Sequence, residues 1–281
     1  IAFRVFFSSR FYYPIFAILF LDFGLTLEQF ALLNLVWALT IALLEIPSGA
    51  LADAIGRKNL LVFAGVCMVL EMGLLCFVPM GNPRLLFYIF LANRVLSGSA
   101  EAAASGADEA LAYDSLKKEG DPDDWGKVLV RQMGFRSVGF VVAMSLGAAV
   151  YDPGLLGHVA DWLGMSVTLN QNITLRFPLY LTLATAILTL FITLAMKRVE
   201  PDHDGEKATG QKSGDSLFKA MKVTLEAGKW ILKTPFALLI IAAGMMFDHI
   251  IRMMTTLNSQ YYRLIDLPES VFGLIGAGLA L

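Results

Sequence analysis

"SGALADAIGRKNLL", Ser48–Leu61, sets Asp53, Arg57 and Lys58 among glycines, between two long apolar runs. The runs cover roughly residues 28–52 and 59–79, and about 20 apolar residues suffice to cross a bilayer. The charged stretch therefore reads as a short hairpin connection between two membrane spans. Gly49 and Gly56 are expected to allow close helix packing and a tight turn there.

The rest of the chain agrees with that reading. It has 281 residues, 57% hydrophobic and 16% charged. Soluble domains carry about 25% charged residues, so this composition belongs to the membrane class. A net charge of -2 gives no reason to expect a nucleic-acid partner. Cys67 and Cys76 lie in one apolar run and read as small core residues, not as a disulfide. The chain starts at Ile1 and stops at Leu281 inside an apolar run, so it reads as a fragment. No signal-peptide pattern precedes the first run.

Spans are predicted at roughly 5–24, 28–52, 59–79, 85–111, 128–150, 175–196 and 234–257, with an eighth begun near 269. Residues 151–174 are partly amphipathic, with Leu155, Leu156, Val159, Trp162 and Leu163 near helical spacing. That segment is expected to lie in the membrane interface. The longest polar stretch, "KRVEPDHDGEKATGQKSGDS", reads as a flexible linker, and the alternating apolar and basic residues after it as a surface helix. The expected organisation is a six-span lobe over 1–197, a linker over 198–230, and the start of a second lobe over 231–281.

Alternate connections differ in charge. One side carries Arg57, Lys58, Lys117, Lys118, Lys127, Lys197 and Arg198; the other carries Arg84, Arg176 and Arg263. The positive-inside rule makes the first side, and the N-terminus, cytoplasmic. A faint internal repeat aligns "LTLEQFALL" (25–33) with "LPESVFGLI" (267–275) at the starts of spans two and eight.

With span and side assigned, the spacing G-x-x-x-D-x-x-G-R-K resembles the loop between helices two and three of the major facilitator superfamily. Ala54 stands where that family often has a basic residue. "LLEIPSG" around Glu45 resembles a stretch of bacterial drug-efflux-like members, and Arg94 with Gly98 resembles the R-x-x-x-G element of fourth helices. The resemblance implies an all-α membrane fold of two six-helix lobes around a central site, of which this chain holds about the first eight helices. It also implies a gating role for Gly49, Asp53, Gly56, Arg57 and Lys58, without substrate contact. It places the protein in a bacterial inner membrane, as a monomer without cofactor or metal.

The remaining charges are candidates for coupling or substrate binding. Arg94, Gly98, Glu101, Ser105 and Asp108 fall on one helical stripe of span four. Intramembrane charge is costly, so a polar stripe argues for a cavity or a charged partner helix. Glu101 is the preferred proton-titrating group, against a structural interhelix ion pair. Glu45 is a candidate for substrate cations, for a proton, or for pairing with a helix cation. One of Asp108, Glu109 and Asp114, at the inner end of span four, is expected to pair with Arg57, Arg131 or Arg136. In span seven, Asp248 and Arg252 are i,i+4 neighbours, and His249 is a proton-relay candidate. Asp22 and Arg10 in span one are weaker candidates. The glycine-proline motif common in span five of antiporters of the superfamily is missing.

The expected function is secondary transport by alternating access, as proton-coupled efflux of drug-like or amphipathic compounds, with substrate, protons and lipid as partners. A proton-driven importer or uniporter of a polar metabolite is the alternative within the class. A transporter-fold receptor or scaffold without net flux is the alternative outside it. No nucleophile, metal or phosphate-binding constellation points to an enzyme.

Overall fold

The computed structural model describes residues 1–165, 169–198, 222, 226 and 228–279, leaving aside the side chains of Ile46, Ala50, Asp53, Ala54 and His249. Every regular element among them is helical. Six stretches are long and apolar enough to cross a membrane: Ala2–Asp22, Leu27–Glu45, Arg57–Cys76, Pro122–Tyr151, Gln171–Ala195 and Pro235–Leu264. Most of the expected linker over 198–230 lies outside the described residues.

Span one is broken, and the break sets where its arginine stands. It consists of α1 (Ala2–Ser8), a 3-10 turn (Tyr13–Ile15) and α2 (Phe16–Asp22). Pro14 cannot donate a backbone hydrogen bond, and its ring clashes with the preceding turn. Backbone groups freed inside a bilayer must find partners. Threonines of the sixth span supply two of them. The Phe11 N–H donates to Thr182 Oγ1 at 3.0 Å, and Thr185 Oγ1 donates to the Ser9 carbonyl at 3.2 Å. Residues 9–12 are thereby held open in the middle of the bundle, with Arg10 among them.

The second span, α3 (Leu27–Ile55), starts at a capping box in which Thr26 and Gln29 satisfy each other's backbone N–H. It runs through Pro47 and ends at Gly56, whose φ of 88° suits only glycine. α4 (Arg57–Cys76) starts at the next residue, so the hairpin expected from the opening stretch is a one-residue turn. α5 (Pro83–Ala104) is capped by Asn82, with Pro83 in the first turn. The sequence predicts one span over 85–111; the structure divides it. Gly106 turns left-handed, with φ of 72°, and α6 (Ala107–Glu119) begins a new direction.

α7 (Trp125–Tyr151) forms span five and α8 (Pro153–Trp162) the amphipathic connection. A short turn, α9 (Gln171–Thr174), leads into span six, α10 (Phe177–Ala195). α11 (Pro235–Leu264) is span seven, and α12 (Glu269–Leu279) opens the eighth. α4 packs against α5 and α10, α3 against α5, and α7 against α12 and α1, while α11 reaches α2. Phe16, Phe20, Phe30 and Phe90 meet edge to face where spans one, two and four pack together. Phe30 and Phe272, the aromatic position shared by the two repeat-like stretches, are both buried.

The glycines of the two motifs behave differently. Among the described residues Gly49 has no neighbour within 4 Å of where a Cβ would stand, so they show no close packing there. At Gly98 an added Cβ would lie 2.8 Å from Thr40 Cβ and 3.0 Å from the Trp37 carbonyl. Gly98→Val is expected to lower stability by about 1–3 kcal/mol through overpacking, and Gly49→Ala to leave it nearly unchanged. Thermal unfolding of the two variants in detergent checks this.

Candidate functional site

The break in span one delivers Arg10 to two carboxylates from different helices. Its guanidinium is 1% exposed, forms an ion pair with Glu71 of α4, and lies 3.5 Å from Glu101 of α5. Glu71 is also fully buried, and Asn93 Nδ2 donates to its backbone carbonyl at 3.0 Å. Along α4, Glu71 is about 21 Å from Arg57 at 1.5 Å per residue, deep in the bilayer. Glu101 differs, with 31% of its side chain exposed. One arginine thus bridges a sealed carboxylate and an accessible one.

The stripe read on span four therefore has divided roles. Arg94 does not meet Glu101. Its Nε donates to Asn93 Oδ1, and its guanidinium stands 5.3 and 5.2 Å from the Phe16 and Phe20 ring centres. The quadrupoles of those rings offset a buried cation. Ser105 Oγ donates to Glu45 Oε1 at 3.2 Å, a hydroxyl partner that was not among those expected for Glu45. Asp108 pairs with Arg4 of α1 at 2.7 Å.

A cavity of about 550 Å³ brings several of these groups together. Tyr13, Trp37 and Ile41 form apolar and aromatic wall; Glu101, Ser105 and Glu109 come from span four and its extension. Arg4 and, from α11, Arg252 complete it. Arg252 also holds Asp248 through two hydrogen bonds of 3.2 Å, the local pair expected from their spacing. Arg94 does not line this space, and the His249 side chain lies outside the described residues.

At the hairpin, Arg57 bonds Asp114 and, at 3.0 Å, the Ala110 carbonyl of α6. Lys58 Nζ donates to the Leu194 carbonyl of α10. Among the described residues these partners all belong to the first six spans. The Asp53 side chain lies outside them. The pairing of Arg57 with one of the three acidic residues after span four is thus observed, with Asp114 as the partner.

The opposite end of the bundle carries a network that the sequence reading missed. Arg263 of α11 donates to both oxygens of Asp22, at 2.6 and 2.8 Å, and also pairs with Glu269 at the start of α12. Tyr151 Oη donates to Asp22. Spans one, five, seven and eight are joined there. Asp152 extends the network: its Oδ1 accepts from the Gly154 and Leu155 N–H groups and its Oδ2 from the Ser270 N–H. Burial alone would raise its pKa, but the hydrogen bonds from Ser270, Leu155 and Gly154 hold the carboxyl below the usual range.

The sequence reading missed Glu71 altogether. A signal was available, because an ionisable residue inside an apolar run is itself a functional candidate. Arg4 carried no such signal, since its partner Asp108 lies on a distant segment, and Glu269 meets Arg263 only because the turn between α11 and α12 brings them together.

Arg10→Met strands Glu71 and is expected to cost about 3–5 kcal/mol, with much of the loss recovered in the Arg10→Met, Glu71→Gln double variant. A thermal double-mutant cycle reads this. The Asp152 contribution to stability should be complete above the ordinary aspartate pKa of about 4 and be lost as pH falls through its depressed folded value. Asp152→Asn should flatten that acid-side slope in pH-dependent unfolding.

Comparison with known proteins supports the architecture. The family model described as Major Facilitator Superfamily matches residues 1–281. No curated protein matches the chain. The helical bundle, its membrane-length spans and a match over the whole chain lead to one conclusion: this is a multi-pass membrane protein of the major facilitator superfamily, a family of secondary transporters.

Proposed function

We propose that the protein is a proton-coupled exporter of amphipathic compounds, and that the end bearing Arg57 faces the cytoplasm of a bacterial cell. The observation that carries this reading is the cavity lining. Aromatic and apolar wall from Tyr13, Trp37 and Ile41 stands beside the carboxylates of Glu101 and Glu109. Arg4 and Arg252 line it too, so both signs of charge flank the aromatic wall, and such a lining suits a compound with an apolar body and a polar or charged end. A polar metabolite would call for more hydrogen-bonding amides, and the cavity lining contains neither Asn nor Gln.

In this reading the Asp22 end is closed, because Arg263 there ties α11 and α12 to span one. Closure at that end is one limit of an alternating-access cycle. Asp53, Arg57 and Lys58 engage the second lobe in the other limit.

Glu101 is the proton-binding group in this reading, because it alone of the two Arg10 partners reaches the cavity. Protonating Glu101 removes its pull on Arg10 and leaves that charge to Glu71. Arg10 belongs to the broken part of span one, so the shift is transmitted to the cavity wall at Tyr13. Glu45 and Asp108 act as helpers that hold Ser105 and Arg4 in the lining.

The test is transport by the full-length protein in vesicles with an imposed pH gradient. Lipophilic cationic dyes are expected to move against their gradient when the proton gradient is present. Glu101→Gln should reduce that flux at least about tenfold, while Lys127→Gln, in the exposed pair with Asp124, changes it little. Gradient-independent dye flux that is unaltered in Glu101→Gln would overturn the coupling assignment. Uptake of polar metabolites without dye movement would overturn the substrate class.

A further inference from the structure

The connection after span five contains a helix whose apolar face is only half used. In α8, Leu156 and Ala160 turn towards the protein, and Ala160 is buried. At about 100° per residue, Leu155, Val159, Trp162 and Leu163 occupy the adjoining arc. All four are exposed, Trp162 by 85%. Gly154, His158 and Asp161 fall on the far side of the helix. The result is three sectors, facing protein, an open apolar region and water.

The position of α8 decides what fills the open sector. It starts two residues after α7, a span that must cross the bilayer, and the exposed stripe Val138, Val142 and Leu146 of α7 leads up to it. Leu146 is about 9 Å below Asp152 at helical rise. Exposed apolar residues thus run from the end of this membrane-length span into α8, at the depth where acyl chains meet headgroups. A tryptophan beside aliphatic residues is the composition favoured at that depth.

One carboxylate links this helix to the interlobe network. Asp152 caps α8 with Oδ1 and holds the Ser270 N–H, at the start of α12, with Oδ2. Ser270 adjoins Glu269, which pairs with Arg263. We propose that α8 is a membrane-docked lever: phospholipid at the leaflet surface binds its Leu155, Val159, Trp162 and Leu163 face, and through Asp152 this anchorage favours closure of the transporter at the Asp22 end. Moving α8 relative to the membrane moves the acceptor that holds α12.

Docking and leverage are measured separately on the full-length protein in phospholipid nanodiscs, in a C67A/C76A background. Nitroxide labels at L155C, V159C and W162C are expected to be relaxed more by oxygen than by a nickel chelate, and labels at H158C and D161C the reverse. Preferential relaxation of the first three by nickel, meaning open water, would overturn lipid docking. So would protection from both reagents, meaning cover by another protein segment. The second measurement is the distance between labels at E28C and I265C, on the Asp22 ends of α3 and α11. D152N keeps an oxygen to cap α8 but offers no second acceptor to Ser270. It should leave the label depths unchanged and raise the long-distance, open population about twofold or more. An unchanged distance distribution in D152N would overturn the lever. Neither readout depends on which compound is transported.

Discussion

The structure depends on a guanidinium in a medium that does not tolerate one. Arg10 is nearly inaccessible, deep between helices, and its charge requires carboxylates within reach. Glu71 of α4 and Glu101 of α5 provide them, so one side chain fixes the relative placement of spans one, three and four. The arrangement works because Pro14 breaks span one and the threonines of α10 take up the freed backbone groups. A continuous helix there would present Arg10 differently and would need no hydroxyl stripe on span six.

Charge placement also separates mechanical from chemical roles. The ion pairs of Arg57 with Asp114 and of Arg4 with Asp108 brace the first six spans internally. The pairs around Arg263 join those spans to α11 and α12. Bonds of the second kind must break when the lobes rock, because they cross between moving bodies. Glu101 belongs to the internal kind through Arg10, but unlike Glu71 it also faces the cavity.

Much of this was legible along the chain because the bilayer imposes simple rules. Length and hydropathy marked the spans, and the position of Gly56, Arg57 and Lys58 marked the hairpin. The i,i+4 spacing of Asp248 and Arg252 marked their local pair. What local patterns misjudged were breaks and long-range partners. The span-four stripe from Arg94 to Asp108 read as one continuous helical face, but the left-handed Gly106 ends α5 before Asp108. Arg94 and Glu101 share a stripe and still have different partners, since neighbouring helices, not the helix itself, supply the aromatic rings and the arginine.

The sequence by itself determined an all-helical membrane protein, the order of its spans and the glycine-centred hairpin after span two. These features come from apolar length and from the one residue type that tolerates positive φ. Only the tertiary structure decided that Arg10 belongs to Glu71 and Glu101, that Asp108 belongs to Arg4, and that Asp22, Arg263 and Glu269 form one network. The physical reason is that a buried charge constrains how many opposite charges must be near, and not which part of the chain provides them. That choice is made when helices far apart in sequence pack together.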